Sequence, residues 1–381
     1  MSLIHSTFLE HLVIIRTGGS LINLESYNCQ EFGLAKALTK RGLKVTIILA
    51  GTKNETKTFN IGTKTIVVYY VRFKHINQAL AWFENIEHLL HLLKPTCIQI
   101  HEFGMLMSYR IIKWAKRNNT KTYLIQGSYR TTSKPVLKQL EIIFNITFGR
   151  YILSNVNGIG CKSSRAAQYI KSYAKKEITP TYIGLDTDKF QNAITKDWIK
   201  ELNIRNKKIL LYIGILENRR NPLFLLSIIE SLPNNYVLII VGSGSMETKI
   251  KCEIDTKKLW DRCFMLGKLK QEELPSIYKI ADIFLLASDY EIYGMVILEA
   301  MFFKVPVIST PNAGSEVIID NYKNGVILPH KDIMTWGQTI INLCSDKTML
   351  SKMKDEANMK IVSKLTWEQA VNAFLTLYNI R

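Results

Sequence analysis

Short apolar runs of five to seven residues recur along the chain, and many are followed by stretches in which apolar positions return every three or four residues. The runs read as buried strands and the periodic stretches as helices, an alternation that predicts parallel sheets joined by crossover helices. In the first half, strands are predicted over 11–16, 44–50, 65–71, 97–101 and 121–126, with helices over Tyr27–Lys40 and Gln78–Leu93. In the second half, strands over 208–213, 236–241, 282–288 and 305–310 repeat the scheme, and helices over Trp336–Leu343 and Asp346–Lys364 close it. The predicted fold class is therefore α/β, with two Rossmann-like domains: residues 1–190 and residues 191–365. The polar stretch Thr187–Lys208 reads as the linker. A last helix, 366–381, places Ala370, Phe374 and Leu377 on one face and is expected to pack back on the first domain.

One segment breaks the alternation. Residues 134–153, KPVLKQLEIIFNITFGRYIL, are apolar on most sides, with Lys134, Lys138 and Arg150 as basic positions. Two readings stay open, a helix lying in a membrane interface and a helix buried on both faces.

Composition narrows the class. The chain has 381 residues, 47% hydrophobic and 22% charged, which suits two globular domains and argues against disorder. Its six cysteines, Cys29, Cys97, Cys161, Cys252, Cys263 and Cys344, show no paired spacing, so free thiols in a reducing compartment are expected. No apolar run reaches the roughly 18–20 residues a spanning helix needs, and MSLIHSTFLEHLVIIR has no basic region ahead of its apolar stretch. A cytoplasmic location is expected, peripheral on the inner face of the membrane. The net charge of +18 is uneven: residues 1–195 carry 26 Lys and Arg against 11 Asp and Glu. That asymmetry suggests an anionic partner for the first half, an acidic membrane surface or a nucleic acid.

Candidate chemistry concentrates in DYEIYGMVILEAM, residues 289–301, where Glu291 and Glu299 stand eight apart with Gly294 between them. Gly294 permits a sharp turn, and the breaker-free run from Met295 places Glu291 in a loop and Glu299 in a helix's second turn. The amides of that helix start, Gly294, Met295 and Val296, favour a diphosphate. Carboxylates beside an anion site must then serve hydroxyl groups, one on a ribose and one on a sugar being moved. With 21 glutamates in the chain, about one pair at this separation is expected by chance, so the pair gains weight only from its surroundings. Those surroundings are loops at strand ends, where such sheets hold ligands. They carry Gly18 and Gly19 after the first strand, then Gly214 followed by Arg219 and Arg220, and Gly242-Ser243-Gly244-Ser245. The arginine fork suits phosphate oxygens. Glu25, Tyr27, Asn28 and Gln30 are candidate acceptor contacts, although Ser26 and Asn28 also suit a helix cap.

Gly214 with RNP at 220–222, VGSG, FMLGKL, ASDYEIYGMVILEAM, VPVISTPNAGSEVI and NGVIL follow one another as in the retaining glycosyltransferases of family 4, glycosyl transferases group 1. The chain resembles that family over nearly all of its second half. A thinner likeness runs through the Gly18-Gly19 loop, GLAKALTKRGLKVTIIL, IHE at 100–102 and IGLDTDKF at 183–190. The resemblance implies a GT-B fold, two Rossmann-like domains with parallel sheets facing a central cleft, and a hexosyltransferase-type activity. It implies that Glu299 holds the ribose and Glu291 contacts the donor sugar. Gly294, Met295 and Val296 would meet the diphosphate, Arg220 would neutralise it, and Gly267 and Lys268 would hold the base. The implied partners are a sugar nucleotide and a glycan or lipid-linked acceptor of surface polysaccharide synthesis, with no metal required and no nucleic acid bound.

Two positions depart from the family pattern. Ile215 stands where an arginine is usual, and Gln126 where many members have a histidine, so acid–base work at that position is excluded. His101, with Glu102, is an alternative polar group near the reacting centre. Two other classes fit less well: a sugar-nucleotide epimerase or phosphorylase of similar fold, which leaves the motif order unexplained, and a basic nucleic-acid-binding protein, whose aromatic and basic interleaving this chain lacks.

Overall fold

The computed structural model describes residues 11–22, 24, 29–77, 79–132, 134–329 and 331–380. The chain divides into two units, Met1–Gly184 with Trp367–Arg381, and Leu185–Thr366.

In the first unit the strands are β1 (His11–Ile15), β2 (Lys44–Gly51), β3 (Glu55–Ile61), β4 (Lys64–His75), β5 (Ala81–Phe83), β6 (Cys97–His101), β7 (Lys121–Gln126), β8 (Gly158–Cys161) and β9 (Thr179–Pro180). They lie in the order β3-β4-β2-β1-β6-β7-β8-β9, with β5 against β4. Every residue of β1 and β6 is buried, which is why both read as unbroken apolar runs.

The sheet is mixed, whereas the sequence pattern suggested parallel strands throughout. β3 and β5 both run antiparallel to β4. β3, ETKTFNI, is an edge strand with water along one side, so it needs no continuous apolar run and gives no strong signal. The helix expected over Gln78–Leu93 begins at Ile86, because Ala81 and Phe83 are buried on one side of a short strand. The first helix spans Gln30–Lys40; Tyr27 and Asn28 lie outside the described residues.

The closing helix Trp367–Leu377 belongs to the first unit, and glycines mark where it packs. A Cβ on Gly33 would fall inside the Trp367 indole, and a Cβ on Gly158 would lie 2.9 Å from the Leu377 side chain. The Tyr123 hydroxyl donates to the Tyr378 carbonyl at 3.2 Å.

Residues 134–153 form a helix, Pro135–Phe144, a π turn, Asn145–Gly149, and the start of a second helix, Arg150–Asn155. No residue of Pro135–Phe144 is buried, which overturns the reading of a helix buried on both faces.

In the second unit the strands are β10 (Lys208–Ile213), β11 (Tyr236–Val241), β12 (Cys263–Gly267), β13 (Ile283–Leu286), β14 (Val307–Ser309) and β15 (Gly325–Ile327). Their order is β12-β11-β10-β13-β14-β15, and every pairing is parallel. β13 and β14 are shorter than the apolar runs that announced them. The expected linker Thr187–Lys208 is partly folded: Phe190 packs on the rings of Phe302 and Phe303, and the buried Trp198 indole donates to Ser276 Oγ at 2.8 Å. Scattered aromatics anchor this segment, and a search for strand or helix periods passes over them.

Gly33→Ala should therefore destabilise the protein by about 1–3 kcal/mol through overpacking against Trp367. Thermal unfolding checks this, and an unchanged midpoint would show that the closing helix does not press on Gly33.

Candidate functional site

Strand order reverses between β10 and β13, so the loops leaving their carboxyl ends diverge around a common point, the usual ligand position in such sheets. Here the two loops are sewn together. Asn221, in a left-handed conformation (φ 49°), donates its side-chain amide to the Ala287 carbonyl at 2.8 Å. The Asp289 amide donates to the Arg219 carbonyl at 2.9 Å, and Arg219 Nη1 donates to the Tyr290 carbonyl at 2.8 Å. Arg219 Nη2 also pairs with Glu217 at 2.6 Å. Arg220 forms an ion pair with Glu291, and both side chains are largely buried.

Three residues on, Gly294 (φ 77°) starts the helix Met295–Phe302, and no side chain caps it. First-turn amides without a side-chain cap, at the positive end of a helix, make an anion-friendly edge. Glu299 lies buried in the next turn, accepting from Tyr278 Oη at 3.0 Å and from Gln271 Nε2 at 3.5 Å. Burial raises its carboxyl to about 6, against the opposing pull of the Tyr278 and Gln271 hydrogen bonds and the Lys189 charge. Gly314, in the helix Ala313–Ile318, has no room for a Cβ against the Tyr293 backbone, so that helix buttresses the loop carrying Glu291.

The neighbouring strand ends have different local reasons for their glycines. A Cβ on Gly242 would collide with the Gly214 carbonyl, and one on Gly244 with the Leu216 backbone. Close loop packing thus accounts for both glycines. Gly267 (φ 65°) has nothing within 4 Å of an added Cβ, and Lys268 follows it at the end of β12. Ile215, at the departure from the arginine pattern, is exposed.

The remaining predicted residues lie in the first unit, around the reversal between β1 and β6. Gly19 is packed tightly, its added Cβ lying 3.0 Å from Ala81 and Phe73, whereas Gly18 has only Met105 at 4.0 Å. His101 is buried, accepts from Gln99 Nε2 at 2.8 Å and faces Glu31 at 3.4 Å. Burial lowers its imidazole to about 3, leaving it neutral at ordinary pH. Gln126 is also engaged: its Oε1 accepts from the Phe103 amide at 3.1 Å, and its Nε2 donates to Glu102 at 2.6 Å and to the Ser128 carbonyl at 2.9 Å. Gln30 accepts from Lys162 Nζ at 3.0 Å. The other acceptor candidates, Glu25, Tyr27 and Asn28, lie outside the described residues.

Sequence reading missed Tyr278 and Gln271 around Glu299, and the group of half-buried Arg16 with buried Glu31 and Lys162. Burial alone would raise the Glu31 carboxyl, but the Arg16 and Lys162 charges outweigh it and hold it well below the usual range. Tyr278, in the helix Leu274–Tyr278, and Gln271, in the turn before it, precede Glu299 by 21 and 28 residues, so no spacing rule connects them. Among the described residues, no group of three or more His, Cys, Asp or Glu side chains is placed to hold a metal ion.

Residues 194–360 match the family model described as Glycosyl transferases group 1. This segment is a glycosyl transferases group 1 domain. It contains all the second-unit site residues named above. The chain is also similar to the Escherichia coli UDP-Gal:alpha-D-GlcNAc-diphosphoundecaprenol alpha-1,3-galactosyltransferase, at 29% identity over 205 residues, 51% of this chain and 52% of that relative. The chain thus spans about half the length of that curated relative, and the same holds for the Corynebacterium jeikeium D-inositol 3-phosphate glycosyltransferase, at 50%. Among solved structures, sucrose-phosphate synthase from Thermosynechococcus elongatus superposes with a TM-score of 0.75 at 17% identity, covering 97% of this chain and 98% of that one. Anabaena HepE in complex with UDP gives 0.74 at 13%, covering 97% and 99%. The glycosyl transferases group 1 domain and its companion unit together have the GT-B fold.

Two outcomes follow from the domain's electrostatics. Arg220→Met strands Glu291 as a largely buried carboxylate and should cost about 3 kcal/mol in urea unfolding, while Arg220→Met with Glu291→Leu should recover much of that loss. Equal losses in the single and double variants would show that the pair is not coupled. Folding raises the Glu299 carboxyl from its ordinary 4.5 to about 6, so the unfolded chain releases this proton first as pH climbs. The group's contribution is therefore most favourable below 4.5 and is lost as pH rises through 6. Glu299→Gln should gain stability relative to wild type between pH 4.5 and 7, and parallel stability curves over that range would contradict this.

Proposed function

We propose that the protein is a glycosyltransferase that moves a sugar from a nucleotide diphosphate sugar to a glycan or lipid-linked acceptor. The observation that carries the proposal is the meeting of Arg220, Glu291 and the Gly294 helix start at the β10/β13 reversal of a glycosyl transferases group 1 domain. Support for a diphosphate donor comes from HepE, solved with UDP. Support for a lipid-linked acceptor comes from the E. coli relative, whose name specifies a diphosphoundecaprenol.

In this reading Glu299 accepts from the ribose hydroxyls and the Gly294, Met295 and Val296 amides face the diphosphate. Gly267 and Lys268 flank the base. Arg220 offers five donors in a planar fork, enough to keep a bond to Glu291 while addressing a phosphate oxygen. Arg219 is committed to Glu217 and Tyr290, so the work left by Ile215 falls on Arg220. The bond from the sugar's C1 to the diphosphate oxygen breaks, and a bond from C1 to the acceptor oxygen forms on the same face. The acceptor's proton passes to the departing diphosphate. Catalysis then rests mainly on stabilising negative charge as it develops on that leaving group, without a metal. The acceptor is assigned to the basic first unit, and the product to a surface polysaccharide.

A panel of nucleotide diphosphate sugars tests this by thermal shift and turnover. At least one should raise the unfolding midpoint and yield a glycosylated product. Glu299→Ala should weaken that donor's binding by about tenfold or more through loss of charged hydrogen bonds. No shift with any donor would sink the proposal, and unchanged affinity in Glu299→Ala would remove Glu299 from it.

A further inference from the structure

The helix Pro135–Phe144 takes no part in the chemistry above, yet among the described residues it exposes more large apolar side chains than any other element of the first unit. Val136 is 73% exposed, Leu140 58% and Ile143 59%, and Leu137, Ile146 and Phe148 are also exposed. Val136, Leu140 and Ile143 recur at the spacing of one helix face. A structural reason for such a face would be packing, and none of this helix is buried.

The polar groups around it are arranged so as not to interrupt it. Asn145 is buried and donates to Tyr169 Oη at 3.1 Å, holding the π turn to the core while Phe148 stays outside, edge-on to Tyr109 at 4.8 Å. The Thr147 hydroxyl is satisfied by the Ile143 carbonyl at 2.8 Å. Glu141, the one acidic residue between 130 and 150, accepts from the Thr132 amide at 2.9 Å and is only half-exposed. Burial raises its carboxyl. The same stretch carries Arg130, Lys134, Lys138 and Arg150, all exposed.

We propose that the face formed by Val136, Leu140, Ile143 and Phe148 docks this protein on an anionic lipid surface. Charge selects the occupant: the stretch is net positive, and so is the whole first half, at 26 basic residues against 11 acidic. Lys134 and Lys138 lie across the helix from the apolar face. A helix is only about 10 Å in diameter, roughly one Debye length, so both still feel the surface potential. Size argues against a second copy of the chain, because six apolar side chains fall short of the roughly 20–30 residues a side of a standard stable interface. Mode of attachment follows from length. No helix among the described residues is long and apolar enough to cross a membrane, so this one lies in the interface plane. The face is separate from the donor chemistry, which belongs to the other unit.

Co-sedimentation of the full chain with phosphatidylglycerol-containing and pure phosphatidylcholine vesicles tests the proposal. Wild type should bind the anionic vesicles preferentially, and less at high salt. Leu140→Ser with Ile143→Ser should lower that partitioning by about tenfold or more while the unfolding midpoint holds. Lys134→Glu with Lys138→Glu should abolish the preference for anionic lipid. If the serine pair lowers the midpoint, Val136→Ser, at the most exposed position, replaces it. Unchanged partitioning in these variants, or equal wild-type binding to both vesicles, overturns the proposal. So does a wild-type dimer that the serine variant converts to monomer in sedimentation velocity, which assigns the face to self-association. Sugar-nucleotide binding, measured on the same samples, should be unchanged throughout, so loss of docking is distinguishable from failure of the glycosyltransferase reading.

Discussion

The second unit is organised around a single constraint: a largely buried guanidinium and a buried carboxylate that must stay together. Arg220 and Glu291 come from loops 71 residues apart, and only the reversal of strand order between β10 and β13 brings those loops side by side. Separating them would leave a charge with little water to solvate it, so the pair fixes loop geometry more than it adds net stability. Neighbouring contacts reinforce it. Asn221, Arg219 and Asp289 bond across the same seam through backbone carbonyls and an amide, and Gly314 lets a further helix press on Tyr293. A site held by so many fixed groups needs little rearrangement when charge develops in it, which is the condition under which electrostatic catalysis is effective.

That rigidity changes how the glycines are understood. From sequence, Gly214, Gly242 and Gly244 stand in loops at strand ends, where such sheets hold ligands. In the structure Gly242 and Gly244 are small because the loops after β10 and β11 touch, with the Gly214 and Leu216 backbones filling the space a Cβ would take. Their contribution to the site is indirect: they let the loops after β10 and β11 close on each other. Gly294 differs, since its left-handed backbone is needed to start the helix that carries Glu299.

How much of this was legible in the sequence depends on the range of the interaction. The parallel strands announced themselves because strands buried on both faces must be apolar throughout, and the DYEIYGMVILEAM segment is local enough for a turn and a helix start to be read directly. β3 and β5 were not legible, since an edge strand such as ETKTFNI carries mostly polar residues and AWF is too short to show a period. Nor was the engagement of Gln126 and His101, whose partners Glu102, Phe103, Gln99 and Glu31 are set by strand register and by the docking of the first helix. The apolar stretch 134–153 was visible, but periodicity could not decide between burial and exposure, because either environment tolerates the same residues.

The two glutamates that stand eight apart illustrate the same limit from the side of chemistry. Sequence treats them as equivalent acids flanking a glycine, yet the fold gives them opposite surroundings. Glu291 is met by a guanidinium, so its charge is compensated where it lies. Glu299 is met by a phenol and an amide, and burial keeps its carboxyl near 6, so holding its charge costs the protein stability at neutral pH. A buried carboxylate whose hydrogen-bond donors are neutral, with Lys189 acting on it only through its field, keeps lone pairs to offer, which suits it to accept from paired hydroxyls such as a ribose presents. Glu291, already tied to Arg220, can accept from a hydroxyl while its partner addresses an anion. The difference between the two acids thus follows from what surrounds each carboxylate, and their spacing serves only to place them on opposite sides of one helix start.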